Sequence, residues 1–126
     1  VLGGRSAWRE WSLDQLARAR EHARLAINVV VLAELHGGGR PGQDVTGWLR
    51  RLEIAIVPLA EDAAVRAGRA HGDYRRAGGP RRSILADFLI AGHAAALGAT
   101  LLTRDRKRLA SYFPELVVIA PEEPIP

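Results

Sequence analysis

The chain has 126 residues, 48% of them hydrophobic and 25% charged, with a formal net charge of +4; this suits one globular domain and excludes a disordered or fibrous chain. The absence of cysteine excludes disulfides, thiolate nucleophiles and thiolate zinc sites, and the four histidines, at 22, 36, 71 and 93, have no zinc-binding spacing. No stretch is long and apolar enough to span a bilayer and no signal peptide is visible, so a cytoplasmic protein away from the membrane is expected.

Ser12, followed by Leu13, Leu16, Ala17 and Ala23 with Asp14 and Gln15 in the first turn, predicts a capped, amphipathic surface helix over about 12–24. Leu25 to Leu35 reads as a short strand to Ile27 and then a helix capped by Asn28, carrying Glu34 and ended by Gly37, Gly38 and Gly39. Trp48, Leu49 and Leu52 predict a helical face over about 43–53, and Ile54 to Leu59 a buried strand closed by Pro58. A long helix is expected over about 61–77, before Gly78, Gly79 and Pro80 break the chain. Ser83 is the expected cap of the apolar helix bearing Asp87. After Gly98, a strand is expected over 99–103, a short helix over about 105–112, a last strand over Val117 to Ile119 and a loose proline-rich tail over 121–126. Strands alternating with helices imply a mostly parallel sheet covered on both faces. Such sheets bind ligands at the carboxyl ends of their strands, and Asp105 lies just past one of these ends.

Three carboxylates each stand alone beside an apolar run: Glu34 in Val-Val-Leu-Ala-Glu-Leu, Asp87 in Ile-Leu-Ala-Asp-Phe-Leu-Ile, and Asp105 after Leu-Leu-Thr-Arg. An ionised group among apolar side chains needs a counter-charge, strong hydrogen bonds or a metal. If the three converge, a hard divalent cation with oxygen ligands relieves their repulsion, and acids alone favour magnesium or manganese over zinc. Local roles are open as well: Asp87 near a helix N-terminus, Glu34 as an ion-pair partner, Asp105 as a helix cap. Thr103 is a candidate to orient a metal-bound water, or a cap.

The positive charge is almost wholly arginine, Lys107 being the sole lysine. Arg75, Arg76, Arg81, Arg82, Arg104, Arg106, Lys107 and Arg108 surround the acids in sequence, a basic rim that suits a polyanion. His93 reads as a packed histidine, and Trp8, Trp11 and Trp48 as core or dimer packing rather than base-stacking platforms. With no methionine, the chain is expected to continue before Val1.

The stretches Ile27-Asn-Val-Val-Val-Leu-Ala-Glu-Leu, Leu85-Ala-Asp-Phe-Leu-Ile-Ala-Gly-His-Ala, Leu97-Gly-Ala-Thr-Leu-Leu-Thr-Arg-Asp and Tyr112-Phe-Pro-Glu-Leu-Val-Val-Ile-Ala-Pro, with Trp8-Arg-Glu-Trp-Ser, resemble a PIN domain, and specifically the ribonuclease toxins of bacterial VapBC toxin–antitoxin pairs. The resemblance implies a PIN-like three-layer α/β/α sandwich with a mostly parallel central sheet, whose acids bind magnesium or manganese and hydrolyse phosphodiester bonds in RNA. By position it implies that Glu34, Asp87 and Asp105 are the metal-site acids, with Thr103 as the accompanying hydroxyl. Arg81, Arg82 and Arg104 are the candidate RNA contacts. It further implies a homodimer and a hetero-oligomer with a VapB-type antitoxin that occupies the active-site groove. One departure is plain: the family's first strand, ending in an Asp-Thr-Asn or Asp-Ser-Asn motif that supplies a metal ligand, has no counterpart here, because the chain opens at Val1-Leu2-Gly3-Gly4. That departure keeps a second reading in view, a PIN-like module that binds RNA or protein without catalysis.

Overall fold

A computed structural model describes residues 6–39, 41–79, 84–103, 109 and 111–120, with side chains from residue 10 onward. The first element, α1 (Ser6–His22), starts six residues earlier than expected, and Ser12 is no cap: it lies inside the helix, buried, and its hydroxyl has no hydrogen-bond partner among the described residues. No glycine or proline interrupts residues 6–22, so adding one more hydrogen-bonded residue upstream outweighs the capping preference of an interior serine. The expected apolar face holds only in part, since Leu16 is half-buried while Leu13 and Ala17 are exposed.

The strand β1 (Ala26–Asn28) runs directly into α2 (Val29–Gly38), as the sequence predicts. Asn28 is extended and its Oδ1 accepts from the Val30 and Val31 N–H groups, both at 3.0 Å, satisfying two of the donors that a helix start leaves unpaired. Next come α3 (Val45–Arg51), capped by Asp44 through the Gly47 N–H, and β2 (Ala55–Val57). Leu49 is the buried member of the α3 face, whereas Trp48 is exposed. The long helix α4 (Glu61–Arg76) follows, with Glu61 and Asp62 in its first turn and Arg75 and Arg76 in its last, the charge order that a helix dipole favours.

The apolar helix is α5 (Leu85–Leu97), and its N-cap is Ile84. The expected cap, Ser83, lies outside the described residues, and the capping work falls to Asp87 instead. The strands β3 (Thr100–Leu102) and β4 (Val117–Ile119) complete the chain. Of the short helix expected over 105–112, residues 105–108 and 110 lie outside the described residues; residues 111–112 form a turn in which the Tyr112 and Phe113 N–H groups donate to the Leu109 carbonyl. The tail over 121–126 also lies outside the described residues.

Among the described residues both strand pairs are parallel, as the alternation of strands and helices predicts. The strands do not form one continuous sheet among the described residues: β1 pairs with β2, Ala26 opposite Ala55, and β3 pairs with β4, Thr100 opposite Val117. Each strand is only three residues long, so burial of the flanking helices, more than ladder length, holds the pairs in place.

The core lies between α4 and α5. Ala67, Ala70 and Tyr74 of α4 meet Phe88 and Ala91 of α5, with Phe113 closing one side. Small residues let the two helices approach closely: a Cβ on Gly92 would lie 3.2 Å from the Ala67 Cβ and from the Phe113 ring. Phe88, fully buried, has the Tyr74, Tyr112 and His71 rings at centroid distances of 5.4, 5.6 and 5.1 Å, all tilted or edge-on, as aromatic quadrupoles prefer. No helix among the described residues is long and apolar enough to cross a membrane.

Candidate acidic site

Asp87 is the third residue of α5, and its position follows from how that helix begins. Isoleucine at the N-cap has no side-chain acceptor to offer. The Asp87 N–H donates to the Ile84 carbonyl at 3.0 Å, while the Asp87 Oδ2 accepts from the Ile84 N–H at 3.0 Å. This is one half of a capping box, and it fixes the carboxylate in the first turn, where the helix dipole also favours negative charge. The partner that a half-buried acid in an apolar run requires is thus in part its own helix terminus.

Glu34 projects from α2, which packs against α3 and α5, and it is exposed. Two contacts hold α2 on either side of it. Ahead of Glu34, the Asn28 Nδ2 lies 3.2 Å from the His93 Nδ1 of α5, a buried contact; after it, the His36 Nε2 lies 3.0 Å from the Thr46 Oγ1 of α3. Thr103 follows β3 and extends its ladder by donating its N–H to the Ile119 carbonyl at 3.0 Å, so this half-buried residue stands at the carboxyl end of a parallel strand.

The structure therefore places the two acid-bearing helices side by side and Thr103 at a strand end. Asp105, Arg81, Arg82 and Arg104 lie outside the described residues, as do Arg106, Lys107 and Arg108 of the basic rim. Arg75 and Arg76 are exposed at the end of α4, Arg76 paired with Asp73. Among the described residues no three His, Asp or Glu side chains group closely enough to hold a metal ion. The donors present, two carboxylates on neighbouring helices, are of the hard oxygen type that suits magnesium or manganese.

His93 is buried, as its reading as a packed histidine predicts. Its link to Asn28 was not foreseen, although both residues carried a hint of it. An asparagine cap has a spare amide donor that a serine or aspartate lacks, and a histidine on an apolar helix needs a polar partner.

Comparison with known proteins covers most of this frame. The PIN domain family matches residues 4–112. Ribonuclease VapC10 of Mycobacterium tuberculosis strain H37Rv is 37% identical over 102 residues, spanning 81% of this chain and 72% of the relative, and the protein of the same name from strain CDC 1551 matches equally. Among solved structures, VapBC2 from Rickettsia felis, bound to a DNA fragment from its promoter, superposes with a TM-score of 0.66 at 24% identity over 86% of this chain and 83% of that one. VapBC-1 from nontypeable Haemophilus influenzae superposes with a TM-score of 0.60 at 22% identity over 79% and 75%. At those identities the two structures bear on the fold alone. The sequence relationship carries the rest of the assignment: this chain belongs to the PIN-domain family.

Proposed function

We propose that the chain is a metal-dependent endoribonuclease, the toxin of a type II toxin–antitoxin pair, which hydrolyses phosphodiester bonds in RNA at an acidic site formed by Glu34, Asp87 and Asp105 with Thr103. The observation that carries this reading is the 37% identity with a ribonuclease over 102 residues, which include Glu34-bearing and Asp87-bearing helices packed on each other. A complex with a VapB-type antitoxin belongs to the same proposal, supported by the VapBC proteins among the solved structures of similar fold, and a homodimer is proposed with it.

Glu34, Asp87 and Asp105 would hold magnesium or manganese. When bound, such an ion polarises a phosphate and lowers the pKa of bound water. The chain's own contribution is positional. The Ile84 N–H holds the Asp87 carboxylate in one orientation, so little reorganisation is left to the moment of reaction. The two ties on α2 restrain the helix that carries Glu34. Thr103, anchored by its N–H on Ile119, sets the start of the segment that leads to Asp105. Arginines 81, 82 and 104 would supply the bidentate phosphate contacts that keep RNA over the acids.

The test is cleavage of labelled cellular RNA by the full natural chain, with manganese or with chelator, beside Asp87→Asn. An asparagine keeps an acceptor for the Ile84 N–H, so the start of α5 survives the change. Cutting that requires manganese and falls by about a hundredfold or more in the variant is expected, the scale on which single groups that stabilise developing charge act. Cleavage that persists in chelator overturns the metal-dependent mechanism, and salt-sensitive RNA binding without cutting replaces it with the non-catalytic module.

A further inference from the structure

We infer that Asn28 and His93 are positioning residues: their buried hydrogen bond sets helix α2 against helix α5 and thereby the geometry of Glu34 relative to Asp87. The inference rests on the nuclease reading and deepens it, giving a testable role to two residues outside the acidic set.

The helix cap fixes which group donates and which accepts in this contact. The Asn28 Oδ1 is committed to the Val30 and Val31 N–H groups, so the amide nitrogen is the group that faces His93, 3.2 Å away. An amide nitrogen only donates; the His93 Nδ1 therefore accepts, and its ring proton sits on Nε2. Asn28 and His93 are 6% and 3% exposed, so water does not compete for the bond, and breaking it would leave a buried amide donor without a partner. A cap on β1–α2 and a side chain in mid-α5 are thus locked together across 65 residues of sequence.

The lever arms explain why this contact bears on the site. Glu34 lies six residues after Asn28, and Asp87 six residues before His93. Each acid is then about 9 Å of helix rise from the locked contact. A tilt of about 10° at the lock moves an acid by about 1.5 Å, whereas a working constellation tolerates about 0.5 Å. Released from α5, α2 would still form, because the cap on Val30 and Val31 is independent of His93, and the His36–Thr46 contact would still tie it to α3; its tie to the helix that carries Asp87 would be lost, and with it the fixed distance from Glu34 to Asp87.

The capping and locking roles of Asn28 separate by substitution. Asn28→Ser keeps a capping oxygen but has no donor that reaches His93. His93→Leu removes the acceptor, and His93→Gln restores one through its amide oxygen. The experiment measures kcat and KM on RNA, and independently Mn2+ affinity by calorimetry without RNA, in the full natural chain and the three variants, each checked for a cooperative thermal transition. Asn28→Ser and His93→Leu are expected to lower kcat and Mn2+ affinity by about 10-fold or more with KM changed by less than about 2-fold, the range in which groups that orient metal ligands act. His93→Gln is expected to recover most of both. If His93→Leu does not fold, Asn28→Ser and His93→Gln decide the matter. Folded Asn28→Ser with native kcat and Mn2+ affinity overturns the proposal, as does a His93→Gln loss as deep as that of His93→Leu. A native chain that neither binds Mn2+ nor cuts RNA overturns the nuclease reading itself, and this inference with it.

Discussion

At the scale of single residues, two glycines show how one substitution changes sign with its surroundings. Gly68 sits on the exposed side of α4, and a Cβ there would meet nothing within 4 Å. Gly92 sits in α5, where a Cβ would lie 3.2 Å from Ala67 and from the Phe113 ring. Both are helix-interior glycines, so each replacement by alanine gains about 0.5–1 kcal/mol of backbone propensity. At Gly68 nothing opposes that gain, and Gly68→Ala is expected to raise the denaturation midpoint by a corresponding amount. At Gly92 an added methyl overpacks the α4–α5 contact at a cost of about 1–3 kcal/mol, so Gly92→Ala is expected to lower it. Paired urea titrations check both signs. In the sequence the two glycines look alike; which of them stands in the contact depends on how the two helices meet.

At the scale of elements, three helices end alike. After α3, α4 and α5, the residues Glu53, Gly78 and Gly98 adopt positive φ, at 59°, 78° and 65°. In each case the next residue's N–H reaches back to close the turn: Ile54 to Leu49, Gly79 to Tyr74, and Ala99 to Ala94. This is the Schellman arrangement, which glycine fits without strain. Glu53 is the exception, a side chain held in the left-handed region at a cost of about 1 kcal/mol. Its exposed contact with Arg20, at 3.9 Å, offsets little of this. Glu53→Gly is expected to stabilise the chain by up to about 1 kcal/mol, read as a rise in melting temperature. The glycine-ended helices were predictable because their signal is local. The end of α3 carried no such signal, and the start of α5 misled because its capping carboxylate, Asp87, lies inside the helix while a serine stands just ahead of it.

At the scale of the whole molecule, distant segments are joined by a few specific contacts. Arg66 of α4 pairs with Glu115, just ahead of β4, and its guanidinium also lies 5.2 Å from the centre of the Phe113 ring. The hydrogen bond from Arg66 lowers the Glu115 carboxyl below its ordinary value. A carboxyl lowered on folding adds stability above its unfolded pKa and loses it as pH falls through the folded one. The melting temperatures of the native chain and Glu115→Gln should therefore differ slightly near neutral pH and converge as acid protonates Glu115 below the ordinary carboxylate range. A gap that stays constant to strongly acid pH would show that the pair adds nothing through charge. The effect is small because both side chains are exposed.

By itself the sequence determined the order of the described helices and strands, the parallel class of the strands, the Asn28 cap, the three isolated acids and the family resemblance that the comparisons bear out. These are properties of periodicity, of turn and cap chemistry and of local spacing, each expressed within a few residues of the chain. Only the tertiary structure decided that the strands pair as β1 with β2 and β3 with β4, that Ser12 is buried within a helix, that Gly92 is the close point of α4 and α5, and that Asn28 meets His93. Those outcomes depend on which surfaces meet after the chain has closed loops of tens of residues. A buried donor then takes whichever acceptor packing leaves beside it, and no local pattern encodes that choice.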